Sequence, residues 1–90
     1  MFYLYVLGSK KDKELYIGST NDLQKRLQEH NSGKVRSTKE RSPFSLLYYE
    51  AYGTEDEARL RESALKLRGQ ARSQLLKRIN PTIELFRSEI

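Results

Sequence analysis

The chain has no cysteine, which excludes disulfide bridges, thiolate metal sites and cysteine nucleophiles, and suits a reducing compartment. No apolar stretch has the length that spans a bilayer. The first apolar run, Phe2 to Leu7, is broken by tyrosines and follows no basic segment, so it does not read as a signal peptide. The expected compartment is therefore the cytoplasm. Internal repeats and low-complexity segments are also missing, and only one histidine, His30, offers acid–base chemistry near neutral pH.

What is present suits one small domain, expected over residues 1–90. A hydrophobic fraction of 37% beside a charged fraction of 32% fits a globular chain with a heavily solvated surface. Seventeen Lys and Arg against twelve Asp and Glu leave a net charge of +5. That balance favours a polyanionic partner, of which nucleic acid is the commonest. Many small domains are basic without binding anything, so the motifs have to carry the functional reading.

Phe2 to Leu7 and Leu15 to Gly18 are aromatic and β-branched, with the polar stretch Gly8 to Lys13 between them, and predict a β-hairpin. Ser19-Thr20-Asn21-Asp22 supplies N-cap oxygens, Leu23, Leu27 and His30 follow at helical spacing, and Asn31-Ser32-Gly33 ends the helix. At about 100° per residue, Arg26 and His30 fall beside the Leu23–Leu27 stripe and point toward the sheet, while Lys25, Gln28 and Glu29 face solvent.

Lys34 to Ser42 reads as an exposed basic loop, with Lys34, Arg36, Lys39 and Arg41 as candidate phosphate contacts. Phe44 to Tyr52 is apolar on both alternating faces, which predicts a strand covered on both sides. Thr54-Glu55-Asp56-Glu57 is a capping-box pattern, and its helix is expected to run to Gly69. On it Ala58, Glu62 and Leu65 share one face and Leu60, Ala64 and Leu67 the opposite one, which predicts a sandwiched helix. A carboxylate on an inward stripe requires a partner or a metal. A last short helix, Ala71 to Ile79, is expected to stop before Pro81.

Each candidate has an ordinary explanation when taken alone. Tyr5 and Tyr16 suit a strand core, Arg26 a snorkelling side chain, and His30 a packed or capping histidine. Glu62 suits a helix pair with Lys66, Arg59 or Arg61, worth about 0.3–0.5 kcal/mol, and the basic loop suits a solvated charge run. Their combination matches phosphodiester hydrolysis, which needs a base, a cation for the reacting phosphate and a carboxylate for a divalent metal.

In this order the residues resemble the GIY-YIG nuclease superfamily. Tyr3-Leu4-Tyr5 stands at its first motif, with Tyr3 for the usual glycine and Leu4 for isoleucine, and Tyr16-Ile17-Gly18 matches the second. Arg26 and His30 lie one turn apart, and Glu62 follows within Ala58-Arg59-Leu60-Arg61-Glu62. The run from Ser42-Pro43-Phe44 through Tyr48-Tyr49-Glu50 to Leu65-Lys66 resembles the small stand-alone bacterial members, and the chain is also similar to the N-terminal nuclease domain of the bacterial excision-repair endonuclease.

The resemblance implies an α/β (α+β) fold, a three-stranded antiparallel sheet flanked by helices in the order β-β-α-β-α-α. It implies one-metal hydrolysis of DNA, with Mg2+ or Mn2+ on Glu62, Tyr16 as base, Tyr5 positioning the attacking water, and Arg26 stabilising transition-state charge. His30 would assist proton transfer or hold Tyr16. The implied setting is DNA repair, recombination or processing of single-stranded or branched DNA, with duplex DNA also a candidate and a protein partner supplying specificity. The alternative is a non-catalytic nucleic-acid-binding domain that needs a partner for activity. Many members carry an asparagine after the glutamate helix. Asn80 is the late candidate here, and its position before Pro81 reads as a helix stop rather than a site residue.

Overall fold

The computed structural model describes residues 1–89, so Ile90, the last residue of the expected domain, lies outside the described residues. Strands β1 (Phe2–Ser9) and β2 (Leu15–Thr20) form the expected hairpin, and β3 (Phe44–Tyr52) pairs with the other side of β1. The sheet is antiparallel with order β2-β1-β3. Around it lie α1 (Leu23–Asn31), α2 (Glu55–Leu67), α3 (Gly69–Arg78) and α4 (Asn80–Arg87). The order is the implied one with a fourth helix added.

Alternation along β1 divides the molecule into layers. Leu4 and Val6, with Ile17 of β2, join Leu65, Leu75, Ile79 and Ile83 in the larger core cluster on the side of α2, α3 and α4. Tyr5 and Leu7 join Phe44 in a second cluster, against which Tyr16, Leu23 and Leu27 pack on the α1 side. The register sets Tyr5 opposite Gly18 and Leu7 opposite Tyr16, which brings the two tyrosines to the same face.

Local chemistry accounts for the boundaries. Asp22 caps α1 by accepting from the Lys25 backbone N–H at 3.1 Å. Thr54 caps α2, accepting from the Glu57 N–H at 3.3 Å while its hydroxyl donates to the Glu57 carboxylate at 2.8 Å. At the hairpin turn the buried Ser9 hydroxyl accepts from the N–H groups of Lys11 and Asp12 and donates to the Arg41 carbonyl at 2.6 Å. The turn is thereby tied to the segment that enters β3.

Four expectations are corrected. β3 is an edge strand, and Leu46, Tyr49 and Ala51 are exposed, because α1 covers only one end of that face. Helix α2 is packed on one side alone: Leu60 is 71% and Leu67 83% exposed. Gly69 does not cap α2. Arg68, in extended conformation, separates it from α3, which Gly69 opens. Pro81 is not a stop either, because it sits in the first turn of α4, where its missing N–H costs no helical hydrogen bond.

Helix α4 closes the far end of the larger core with Ile83 and Phe86. A Cβ on Gly8 would stand 2.6 Å from the Phe86 ring, so the absence of a side chain there lets the helix approach. No described helix is long and apolar enough to cross a membrane.

Candidate active site

Tyr5 sits at the centre of the α1 face, 2% exposed, with its hydroxyl 2.9 Å from His30 Nε2. His30 is fully buried, the result of its place beside the Leu23–Leu27 stripe, and its Nδ1 lies 2.8 Å from the Thr38 hydroxyl. The imidazole packs edge-on against Tyr16, with centroids 5.0 Å apart, and against Phe44 at 5.6 Å. His30 therefore hydrogen-bonds Tyr5 and only stacks against Tyr16. Gly18 makes this arrangement possible, since a Cβ there would stand 2.5 Å from the Tyr5 hydroxyl oxygen.

Arg26, one turn before His30, lies against the Tyr5 hydroxyl and pairs with Glu29 at 3.2 Å. Burial drives the electrostatics of this cluster. It pushes the Tyr5 phenol up to about 12 against the opposing pull of Arg26. It also lowers His30 to about 4, with the nearby Arg26 charge acting in the same direction. Both groups are thus neutral at physiological pH.

Glu62 reaches the same edge of the sheet from the opposite layer. It is half-buried on α2 beside the buried Ala58 and Leu65. One carboxylate oxygen accepts from the Ser19 hydroxyl at 2.6 Å, and the other meets the Lys66 ammonium at 2.8 Å. Burial favours its neutral form, but the Lys66 pair and the Ser19 bond outweigh that effect and hold its pKa below the ordinary glutamate value. Lys66 also lies 5.3 Å from the centre of the Tyr16 ring, so one cation links the carboxylate to the tyrosine pair.

Arg59 and Arg61 do not take Glu62. Arg59 pairs with Glu55 at 3.4 Å, and Arg61 reaches β3, where Glu50 receives its guanidinium together with the hydroxyls of Tyr48 and Tyr52. Next to the site a pocket of about 310 Å³ is lined by Ser19, Lys25, Arg26 and Arg59 among others.

Lys34, Arg36 and Lys39 are all exposed along the segment between α1 and β3, which the buried Thr38 anchors. Arg41 is engaged instead: it pairs with Asp12 at 2.7 Å and lies over the Phe44 ring at 5.6 Å. The segment is not a plain loop, since Thr38 is buried and Lys39–Arg41 forms a 3-10 turn. Asn80 is exposed at the start of α4 and donates to Glu84 at 3.0 Å. Ser19 and Thr38 escaped sequence reasoning because both are small polar residues whose partners lie elsewhere in the chain. Lys25 and Arg59 escaped as site residues because each reads as an ordinary helix-surface cation.

The model of the GIY-YIG catalytic domain matches residues 1–79. UPF0213 proteins of Streptococcus pyogenes serotypes M5 (strain Manfredo) and M28 (strain MGAS6180) are each 48% identical to the chain over 75 residues, covering 82% of it and 79% of their own length. The solution NMR structure of the UPF0213 protein BH0048 from Bacillus halodurans is similar to this fold at 35% identity. Its TM-score is 0.52, with 86% of this chain and 84% of that one covered. The chain belongs to the GIY-YIG catalytic-domain family.

Proposed function

We propose that the protein is a metal-dependent endonuclease that hydrolyses DNA phosphodiester bonds at the β2 edge of the sheet. The observation that carries this reading is the double engagement of Lys66, which joins an ionised Glu62 to a tyrosine pair backed by Arg26 and His30. Base, cation and carboxylate then converge from opposite layers on one edge. Family membership supports the activity class, and the net charge of +5 supports a polyanionic substrate.

Glu62 suits a hard divalent cation such as Mg2+ or Mn2+, because it is held charged and its carboxylate already takes an ammonium at 2.8 Å. One protein carboxylate is enough for an ion that keeps several waters and takes substrate oxygens as ligands. Bound there, the ion would neutralise phosphate charge and acidify the attacking water.

The protein's own residues divide the remaining work. Tyr16 takes a proton from the water, whose oxygen attacks phosphorus as an ester P–O bond breaks, and the leaving oxygen takes a proton from solvent. A phenol ionises near pH 10, so that role asks for cations close by, and Lys66 and Arg26 are the ones beside the tyrosine pair. Tyr5 positions the water, and Arg26 offsets charge on the transferring phosphate. Lys25, Arg59, Lys34, Arg36 and Lys39 provide contacts for flanking phosphates. With little surface for base readout, single-stranded or branched DNA is the proposed substrate, in repair, recombination or strand processing.

The test is incubation with labelled single-stranded, duplex and branched DNA, each with magnesium, with manganese and with chelator, and Glu62→Ala in parallel. The expected result is cleavage that requires both the metal and Glu62. Binding without cleavage on every substrate would overturn the reading in favour of an accessory nucleic-acid-binding domain.

A further inference from the structure

Tyr5, His30 and Thr38 form a continuous buried chain. Their residue exposures are 2%, 0% and 1%, and the two links measure 2.9 and 2.8 Å. Donor and acceptor counting gives this chain a direction. The Thr38 end sets it, because the Val35 carbonyl beside the Thr38 hydroxyl can only accept, which leaves His30 Nε2 to take the Tyr5 proton. A neutral imidazole that accepts at Nε2 carries its proton on Nδ1, and that N–H donates to Thr38 Oγ1. The Thr38 hydroxyl then turns its own proton to the Val35 carbonyl, 3.4 Å away.

We propose that Thr38 is a positioning residue that locks His30 in the Nδ1–H tautomer and thereby leaves Tyr5 facing the reaction site as a hydrogen-bond acceptor. In the opposite tautomer, Nε2–H would donate to Tyr5 and the phenolic proton would point outward, toward the water that Tyr5 has to hold. Thr38 thus sets, through His30, which way the first tyrosine points its proton. The catalytic consequence rests on the nuclease reading. The tautomer does not.

A purely structural Thr38 would tie the basic segment to α1 and nothing more, so the experiment needs a signal that packing alone does not move. His30 is the only histidine, and its two ring nitrogens are resolved without ambiguity in a long-range proton–nitrogen correlation spectrum of the labelled protein. The wild-type chain is expected to show a protonated Nδ1 and a bare, accepting Nε2. Thr38→Val, which keeps the shape and removes the oxygen, is expected to move the proton to Nε2 and to lower cleavage about tenfold. Thr38→Ser is expected to restore both.

A wild-type spectrum with the proton on Nε2, or a Thr38→Val spectrum with the tautomer unchanged, overturns the proposal whatever the cleavage assay gives. If Thr38→Val does not fold, the wild-type and Thr38→Ser spectra decide the point. A chain that cuts no DNA but shows the expected switch supports the lock on His30 and defeats the nuclease reading separately.

Discussion

Ser19 and Glu62, 43 positions apart, meet through a 2.6 Å hydrogen bond that pins the β2 edge of the sheet to the middle of α2. The bond leaves the second carboxylate oxygen to Lys66 and fixes where negative charge stands relative to Tyr16. Ser19 directly follows Gly18, over which the Tyr5 hydroxyl lies, so two consecutive residues of β2 organise both halves of the site.

Removing that hydroxyl is expected to weaken the metal site more than the fold. Ser19→Ala should raise the magnesium concentration for half-maximal cleavage by about tenfold, the usual scale for losing a group that orients a metal ligand. A magnesium titration of cleavage checks this, and thermal melting of the same variant should differ little from wild type.

Two strand glycines are expected to separate activity from stability. Gly18→Ala would drive a methyl against the Tyr5 hydroxyl, and Gly8→Ala would drive one against the Phe86 ring. Each should cost about 1–3 kcal/mol, the range for overpacking a filled site. Only Gly18→Ala should also depress cleavage per folded molecule, because Phe86 packs in the core away from the candidate site. Paired urea unfolding and cleavage rates on both variants distinguish the cases.

The buried histidine should make the fold acid-sensitive in a defined window. Unfolded His30 binds a proton below about 6.5, whereas the folded side chain does so only below about 4. Between those values the unfolded state holds more protons, so stability rises with pH and is lost as pH falls, by up to about 3 kcal/mol. His30→Gln should remove this slope in urea titrations across the window, whatever stability it starts from.

Glu50 should produce a second, lower transition. Burial favours its neutral form, but Arg61, Tyr52 and Tyr48 hold the carboxylate ionised, and its pKa lies below 4.5. Its contribution is present above that ordinary value and disappears as pH falls through the lowered one. Glu50→Gln should cost about 2 kcal/mol near neutral pH, the scale for hydrogen bonds to a charged group. Its deficit relative to wild type should shrink in acid.

The basic segment should divide into two kinds of cation. Lys39→Ala should leave the melting temperature alone and reduce the salt dependence of DNA binding by about one counterion. Arg41→Ala should instead lower stability by roughly 1 kcal/mol, since it removes the Asp12 pair and the contact with the Phe44 ring. Melting curves and a salt titration of binding, run on both variants, separate the roles.

The parts of the fold legible in the sequence are those written in short-range pattern. The hairpin, the bounds of β3, and the caps at Asp22 and Thr54 each follow from a few neighbouring residues. Helical spacing from Leu23 and Leu27 places Arg26 and His30 toward the sheet, and the company of Ala58 and Leu65 places Glu62. The failures have a shared cause: one-dimensional pattern does not report what lies on the far side of an apolar face. Leu60, Leu67 and Tyr49 look like core residues, yet each keeps more than half of its surface exposed. Pro81 reads equally as the end of one helix and the first turn of another, and the burial of Phe86 against Gly8 settles which. Ser19 and Thr38 acquire meaning only through partners that the fold delivers.

Central strand β1 hands alternate side chains to different duties, Leu4 and Val6 to the larger core and Tyr5 to the candidate site on the α1 face. A slip of one residue against its neighbours would exchange these sets, turning Tyr5 toward Leu65 and Leu4 toward His30. The proposed chemistry therefore depends on strand alignment as much as on any functional group, and the alignment is enforced by the same apolar contacts that hold the chain folded. Any partial melting that frees β1 from its neighbours therefore displaces the first tyrosine together with the core.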